Sequence, residues 1–396
     1  MEKQAVSNAI LVVNSGSTSL KFAAYSAAIN APLNAAFRGE VRGLQGNPRF
    51  IVSESAGEPV ASYKWDSGKT VSHRIALQFV LSWIQSNMGL KIGAAGHRVV
   101  QGGARFRAPV RIDPEVVDYL DSLAIVEPSH QPYNVEGVRT LDMELPGILQ
   151  VACFDTSFHR TMPEVAQTYA LVKELRDAGV RHWGYHGISY DYISREIRKF
   201  APDARRVIAA HLGGGASMCA MFDGCSIETS TGFGGLSGLP MATRSGDVPI
   251  EALFYVLRKG IVDAVGLEKM LYHQSGLLGL SEISSDMREL LLSEDPRAIG
   301  AIDNFVYSMT RYAGAYVSVL GGLDAFVFTA GIGEHSPEIR TALCKKLHWL
   351  GVKLDENANL SNQLRISSRE SSVSVWVIPT NEELIIAEYT RALTMR

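Results

Sequence analysis

Two α/β domains are what this sequence predicts, on three observations. The chain has 396 residues, more than one hydrophobic core ordinarily organises. Strand-like and helix-like segments alternate along it, as in an α/β protein. A strand, a turn of small residues and a second strand occur near the start and again near the middle, as a duplicated domain would leave them.

In chain order, the first such unit is AILVVNSGSTSLKFAAYS, residues 9–26, with strands expected over 9–13 and 20–25. Its small-residue turn reads two ways. Hydroxyl residues are ordinary hairpin material, while exposed amides, serine hydroxyls and Lys21 would suit a polyphosphate. It is not a Walker A loop, which needs G-x-x-x-x-G-K-[ST] ahead of a helix. Residues 69–88 follow with Ile75, Phe79, Leu81 and Ile84 at helical spacing. IGAAGHRVVQGG then supplies a Gly-rich stretch, and ILQVACFDTSFH, 148–159, a buried strand ending abruptly in polar residues.

The second unit, RRVIAAHLGGGASMCAMFDGCSIETS at 205–230, repeats strand, glycine turn and strand, then adds an Asp-Gly turn and a third strand. In DAFVFTAGIGEHSPEIR, 324–340, a strand and a Gly-x-Gly turn precede an expected helix, with Ser336 as its cap and Pro337 at its first position. Such a helix start presents backbone amides to an anion. VSVWVIPTNEELIIAEYTRAL closes the chain with a strand, a polar break and an amphipathic helix.

Composition narrows the partners. Thirty-eight basic against 41 acidic residues give a net charge of -3, which argues against a nonspecific nucleic-acid binder or a surface drawn to anionic membrane. No signal-like apolar core follows residues 1–8, and no stretch approaches the roughly 18 apolar residues that span a bilayer, so a cytoplasmic protein acting on a small molecule is expected. Cys153, Cys219, Cys225 and Cys344 form no C-x-x-C pair and are expected to be buried thiols.

Several polar residues admit both a structural and a chemical role. Asp155 ends an apolar strand, as a helix cap or as a carboxylate at the mouth of a sheet that holds Mg²⁺. Glu382 and Glu383 admit the same pair of readings. Arg98 and Arg244 lie among glycines, as packing residues or as bidentate clamps for carboxylate or phosphoryl oxygens. His182 and His186 stand four apart, but Gly184 and Gly187 weaken a helix and no HExxH glutamate is present, which discounts zinc. His186 is then a structural histidine or a source of a proton or positive charge.

Together these stretches resemble the acetate kinase family, the acetokinases of the actin-like sugar-kinase and Hsp70 superfamily. The motifs VVNSGSTSLKF, GHRVVQGG, FDTSFHRTMP, GYHGISY, HLGGGAS, ETSTGF, ATRSGD, SGLLGLSEISSDMR, TAGIGE and VIPTNEE occur in family order over almost the whole chain. The resemblance implies two actin-like, ribonuclease H-like α/β domains facing across a nucleotide cleft, one over 1–155 plus 385–396 and the other over 156–384, and a homodimer. It implies transfer of the γ-phosphoryl of ATP to a short carboxylic acid, reversibly, with Mg²⁺ or Mn²⁺. Asp155, His186 and Arg244 then match catalytic positions, and Arg98, Val100, Ser129, Tyr185 and Gly235 the acid-binding ones. Asn14 and Glu382 match metal-linked residues. Lys21, His211, Leu212, Gly213, Gly214, Gly215, Asp286, Met287, Arg288, Gly331, Ile332, Gly333, Glu334 and His335 match nucleotide contacts.

The chemistry agrees with that assignment. A carboxylate is already ionised at neutral pH, so the reaction calls for charge neutralisation and alignment of two anions rather than a strong base. Departures from the family pattern cluster in two places. Gly214 replaces an asparagine and His335 stands in a stretch that usually reads GENS, both near the expected nucleotide. Ser129, Tyr185 and Gly235 replace a leucine, a phenylalanine and a proline around the acid's alkyl group, with Val100 retained. A methyl group gains only about 1 kcal/mol from burial, so a wider, wetter pocket is expected to favour an acid larger than acetate or one carrying a hydroxyl. Competing readings are a different donor such as pyrophosphate, and a non-catalytic ligand-binding module.

Overall fold

A computed structural model of the chain describes residues 8–26, 32–54 and 59–394. The first seven residues, read above for a targeting signal, lie outside them. The chain divides into two compact units, Met1–Ser157 with Asn381–Arg396, and Phe158–Thr380.

In the first unit, β1 (Asn8–Ser15), β2 (Ser19–Ser26), β3 (Ala35–Arg42), β4 (Arg49–Glu54) and β5 (Pro59–Lys64) form an antiparallel meander. Then come β6 (Lys91–Val99), β7 (Val110–Arg111) and β8 (Leu149–Phe154). The sheet order is β5-β4-β3-β2-β1-β6-β8-β7, with β1, β6 and β8 parallel. The apolar run of β1 is buried on both faces, as a central parallel strand requires. On one face Leu11, Val13, Phe22, Phe37 and Phe50 pack against Ala76, Leu77, Val80 and Ile84 of the helix His73–Met88.

That helix starts at a Ser72 cap, whose hydroxyl accepts the Ile75 amide at 3.3 Å, and stops at Gly89 with φ 57°. Its buried stripe differs from the expected one. Ile75 is half exposed, and Phe79 and Leu81 are partly buried flanks.

The Gly-rich stretch before Arg98 proves to be the strand β6. Its glycine has a packing cause: a Cβ on Gly96 would come within 2.6 Å of Ile386 Cγ2 in the helix Glu382–Thr394. The strand therefore reads as a loop because a helix lies directly on it.

In the second unit, β9 (Arg206–Leu212), β10 (Ala216–Phe222), β11 (Cys225–Thr229), β12 (Ala325–Thr329) and β13 (Ser374–Val377) order as β11-β10-β9-β12-β13. β9 to β11 are antiparallel, and β12 runs parallel to β9 and β13. The order and senses of β3-β2-β1-β6-β8 are thus repeated. Alternation along β9 divides the packing. Ile208 and Ala210 meet Phe305, Met309 and Ala313 of the helix Pro296–Leu320, while Val207 and Ala209 meet Tyr190, Ile193 and Ile197 of the helix Gly187–Phe200.

Two further expectations are corrected. Gly331 and Gly333 do not form a turn ahead of a helix but lie within a short one, Ala330–His335. A second helix, Pro337–Lys346, starts at Ser336 without a side-chain capping bond. Cys153, Cys219 and Cys344 are buried, but Cys225 is exposed at the Asp-Gly hairpin. Among the described residues no helix is long and apolar enough to cross a membrane.

Candidate active site

Parallel strands bring their carboxyl ends side by side, the usual ligand position of an open α/β sheet. In the first unit this assembles Asn14 near the end of β1, Arg98 near the end of β6 and Asp155 just after β8. Arg98 donates from Nη2 and Nε to Asp155 Oδ2 at 2.6 and 3.0 Å. It reaches Asn14 Oδ1 at 3.5 Å and lies 3.9 Å from Glu382 Oε2. Burial opposes the Arg98 charge, but Asp155 and Glu382 outweigh it and raise the pKa. Asp155 is therefore not a helix cap. Its carboxylate is 1 % exposed and serves the guanidinium. Glu382, in the first turn of the final helix, is mostly buried beside the same group rather than solvated.

Asn134 has a role here that its sequence context does not announce. Its Oδ1 accepts the Val100 amide at 3.0 Å and its Nδ2 donates to Ser15 O at 2.8 Å, tying the ends of β6 and β1 to the helix Gln131–Glu144. A lone asparagine in an amphipathic helix carries no local signal of that role. Val100 is buried and Ser129 partly buried in this unit. Lys21 is exposed, opposite Asn14 in the β1–β2 ladder. No group of three or more His, Cys, Asp or Glu that could hold a metal by itself occurs among the described residues.

In the second unit, Gly213, Gly214, the segment Asp286 to Arg288, Gly331, Ile332 and His335 line one cavity of about 370 Å³. Ala242, Leu277 and Ser285, which carry no separate expectation from sequence, also line it, as does Ser336, expected only as a helix cap. Leu212 is a core residue of the sheet, which leaves its backbone for any ligand. Met287 is nearly fully buried as well and reaches both the core and the cavity. Glu334 turns back on its own helix: Oε1 accepts the amides of Ala330 at 2.8 Å and Thr380 at 3.1 Å. Arg340, fully buried, donates to Gly333 O at 3.0 Å and Glu334 O at 2.9 Å, holding that helix from behind.

His186 occupies the N-cap position of the helix Gly187–Phe200 with φ 58°. Its Nδ1 lies 2.8 Å from Ser217 Oγ, and its ring stacks on His211 at 4.2 Å. His211 Nδ1 in turn meets Ser189 Oγ at 2.9 Å. Arg244 donates to Gly235 O at 2.8 Å and sits over the Tyr272 ring. Tyr185 is buried, and its hydroxyl donates to Phe233 O at 2.8 Å. Its proton is thus committed to the 231–238 loop, so a ligand hydroxyl would find only a lone pair there.

These two constellations, each at the carboxyl ends of parallel strands, have counterparts among known proteins. The model of the acetokinase family matches residues 9–388. The chain belongs to the acetokinase family. Curated acetate kinases of Rhodopseudomonas palustris (strain TIE-1) and Nitrobacter hamburgensis are each 44 % identical to it, over 97 and 98 % of this chain and 98 and 96 % of the relatives. Among solved structures, a propionate kinase from Francisella tularensis superposes with a TM-score of 0.90 at 34 % identity, covering 98 % of this chain and all of that one. An acetate kinase from Porphyromonas gingivalis superposes at 0.86 and 34 %, covering 98 and 99 %. This acetokinase is a phosphotransferase with a carboxyl group as acceptor, built of two actin-like α/β domains, and its reaction is ATP-dependent phosphorylation of a carboxylate.

Proposed function

We propose that this acetokinase phosphorylates a short carboxylic acid larger than acetate, or one bearing a hydroxyl, and that Arg98, Asp155, His186 and Arg244 carry the reaction. The observation that carries the reading is the convergence of Asn14, Arg98, Asp155 and Glu382 at the ends of β1, β6 and β8. A guanidinium pinned by a carboxylate is a preorganised site for an anion, because its planar donors are already oriented. Arg98 would take the acid's carboxylate, and Asp155 would keep the guanidinium charged and aimed. No general base is called for, since the nucleophile arrives ionised. His186 and Arg244 would meet the charge that spreads over the transferring phosphoryl oxygens.

The nucleotide reading is supported by the cavity beside Gly213 and Gly214, with apolar Leu277, Met287 and Ile332 suited to a base and glycine amides suited to phosphates. Mg²⁺ fits the donor set. Asn14, Asp155 and Glu382 offer hard oxygen atoms, and Mg²⁺ is commonly held by one or two carboxylates plus water and substrate phosphates. Bound there, it would neutralise phosphate charge and bring the polyphosphate to the acid. Mn²⁺ has the same ligand preferences.

The residues at the positions that match the family's acid-binding ones motivate the choice of acid. Ser129 and Gly235 supply little apolar wall, and Tyr185 brings its lone pair rather than its proton. Comparison of kcat/KM for acetate, propionate, butyrate, glycolate and lactate by hydroxamate trapping tests this. Preference for one of the last four is expected, and a strong preference for acetate would overturn it. We also propose a homodimer through the helices Ile250–Arg258 and Ala264–His273, which bury no residue of their own and expose Phe254, Tyr255 and Val265. Sedimentation velocity checks it. A cytoplasmic location is inferred from the ATP requirement and the three buried free thiols.

A further inference from the structure

We propose that His182 is a positioning residue that works as an imidazolium: both ring nitrogens donate, and together they hold the start of the 231–238 loop that meets Arg244. The proposal rests on the reading of Arg244 as a group that carries the reaction.

The partners fix the direction of each bond. His182 Nδ1 lies 3.1 Å from Ala166 O, and Nε2 lies 2.7 Å from Thr231 O. A backbone carbonyl oxygen only accepts, so each nitrogen needs a proton to make its bond. A neutral imidazole has one N–H and would set the lone pair of its other nitrogen against a carbonyl oxygen. The counter-charge is Glu228 on β11, whose Oε1 lies 3.5 Å from Nδ1. Burial raises the Glu228 carboxyl pKa, while the His182 charge and the Thr229 amide, 2.8 Å from Oε1, pull it back. Other ionisable groups nearby are committed elsewhere. Tyr169 stacks on the imidazole and keeps its proton, because burial pushes its pKa up to about 12. His159 stays neutral, its pKa pushed down by burial to about 3. Arg181 donates to Gln167 Oε1 and lies over the Trp183 ring. Asp247, which also acts on Tyr169, accepts from the Gly238 amide and the Tyr312 hydroxyl.

What the imidazolium holds is the loop behind Arg244. At the loop's far end the Gly238 amide donates to Asp247 Oδ1 at 2.8 Å, and the Asp247 amide to Gly238 O at 3.0 Å. Midway, Gly235 O accepts from Arg244 Nη1 at 2.8 Å. At the near end the Trp183 amide reaches Gly232 O at 3.0 Å, and Thr231 Oγ1 accepts the Tyr185 amide at 3.0 Å. The ring of Tyr169 lies against the same stretch, since a Cβ on Gly232 would strike its hydroxyl. Amide bonds of this kind do not respond to pH near neutrality, whereas an imidazole changes charge there. Nδ1 faces a carbonyl and a carboxylate and Nε2 a carbonyl alone, so the Nε2 proton is the one lost as pH rises. A lone pair then faces Thr231 O, the start of the loop is pushed away, and Arg244 loses its alignment through Gly235. His182 acts through the loop and touches no reacting atom.

The full-length chain labelled with ¹⁵N-histidine and titrated from pH 5 to 9 tests this by long-range proton–nitrogen correlation, the His182 signals being assigned by their loss in His182→Gln. Both nitrogens should be protonated at the acid end, and Nε2 should lose its proton on the way up. Over the same range kcat should fall about tenfold with the same midpoint, with KM for ATP within about threefold. His182→Gln, which has no charge to lose, should show the low kcat at the acid end and no fall above it. Glu228→Gln keeps an acceptor for the Thr229 amide and removes the counter-charge, so both midpoints should move together to lower pH by about half a unit or more. A bare ring nitrogen at pH 5, a surviving proton on Nε2 rather than Nδ1, or a kcat that does not follow the ring titration in wild type and Glu228→Gln would overturn the proposal. If instead Arg244→Ala keeps its kcat, the catalytic reading of Arg244 fails, which the ring titration alone cannot imitate.

Discussion

Replacing Arg340 by methionine should loosen the nucleotide site from behind. The guanidinium is fully buried in the second unit. Nε donates to Asn359 Oδ1 at 2.7 Å, Nη1 to Gly333 O and Glu334 O at 3.0 and 2.9 Å, and Nη2 to Asn359 O and Asn362 Oδ1 at 2.7 and 2.6 Å. Burial lowers its pKa, and no carboxylate is among these acceptors. Methionine fills the aliphatic volume, so the loss falls on the acceptors. The two asparagine side chains can turn away, whereas the three backbone carbonyls cannot. At about 1–3 kcal/mol for each orphaned carbonyl, less the relief of no longer burying a cation, the second unit should lose about 3–5 kcal/mol. Because Gly331, Ile332 and His335 of the affected helix line the cavity, KM for ATP should rise while KM for the acid changes little. Amide exchange across 330–346 reads the local loss, and urea unfolding the global one. An Arg340→Met chain within about 1 kcal/mol of wild type, with unchanged protection of 330–335, would refute the reasoning.

Other outcomes follow from the same geometry. His97 and His159 are buried, and burial pushes their pKa values down to about 4 and about 3. Unfolded histidines titrate near 6.5, so the unfolded chain binds more protons between that value and the folded ones. Stability should rise with pH across that window, and so be lost on acidification, by up to about 1.4 kcal/mol per pH unit for each histidine. Urea unfolding from pH 4.5 to 7 checks it, and His159→Gln should remove its share of the slope. Asn14→Ala should lower kcat far more than it lowers the unfolding midpoint, because Asn14 borders Arg98 at the sheet end rather than the core. Gly96→Ala is its converse: the added methyl meets Ile386, and about 1–3 kcal/mol of stability should be lost through overpacking, as thermal unfolding would reveal.

What could be read from sequence was what local chemistry decides. The β1–β2 hairpin and the β9–β11 meander announced themselves through apolar runs broken by small-residue turns, and the final helix through its amphipathic stripe. β6 did not, because Gly96 answers to a helix far along the chain. The helix 330–335 reads as a turn because its glycines mask it, and it is held by Glu334 and Arg340 through bonds with no sequence periodicity. Arg340 itself looks like a surface residue in PEIRTALCKK and is fully buried. The site shows the same division. Arg98, Asp155 and Glu382 are separate in sequence and meet only through the parallel order of β6 and β8 and the return of the final helix. Tyr185 offered a hydroxyl on paper, whereas the fold gives its proton to Phe233.

The most direct test of the account is the stoichiometry of the reaction itself. Purified chain would be incubated with ATP, Mg²⁺ and a short carboxylic acid, and ADP and hydroxamate-trapped acyl phosphate counted in parallel, with Arg98→Ala as the control. The account predicts equal amounts of the two products from wild type, none without the acid, and a loss of about 100-fold or more in kcat/KM in the variant. ADP formed without acyl phosphate, or no turnover with any acid, would contradict it.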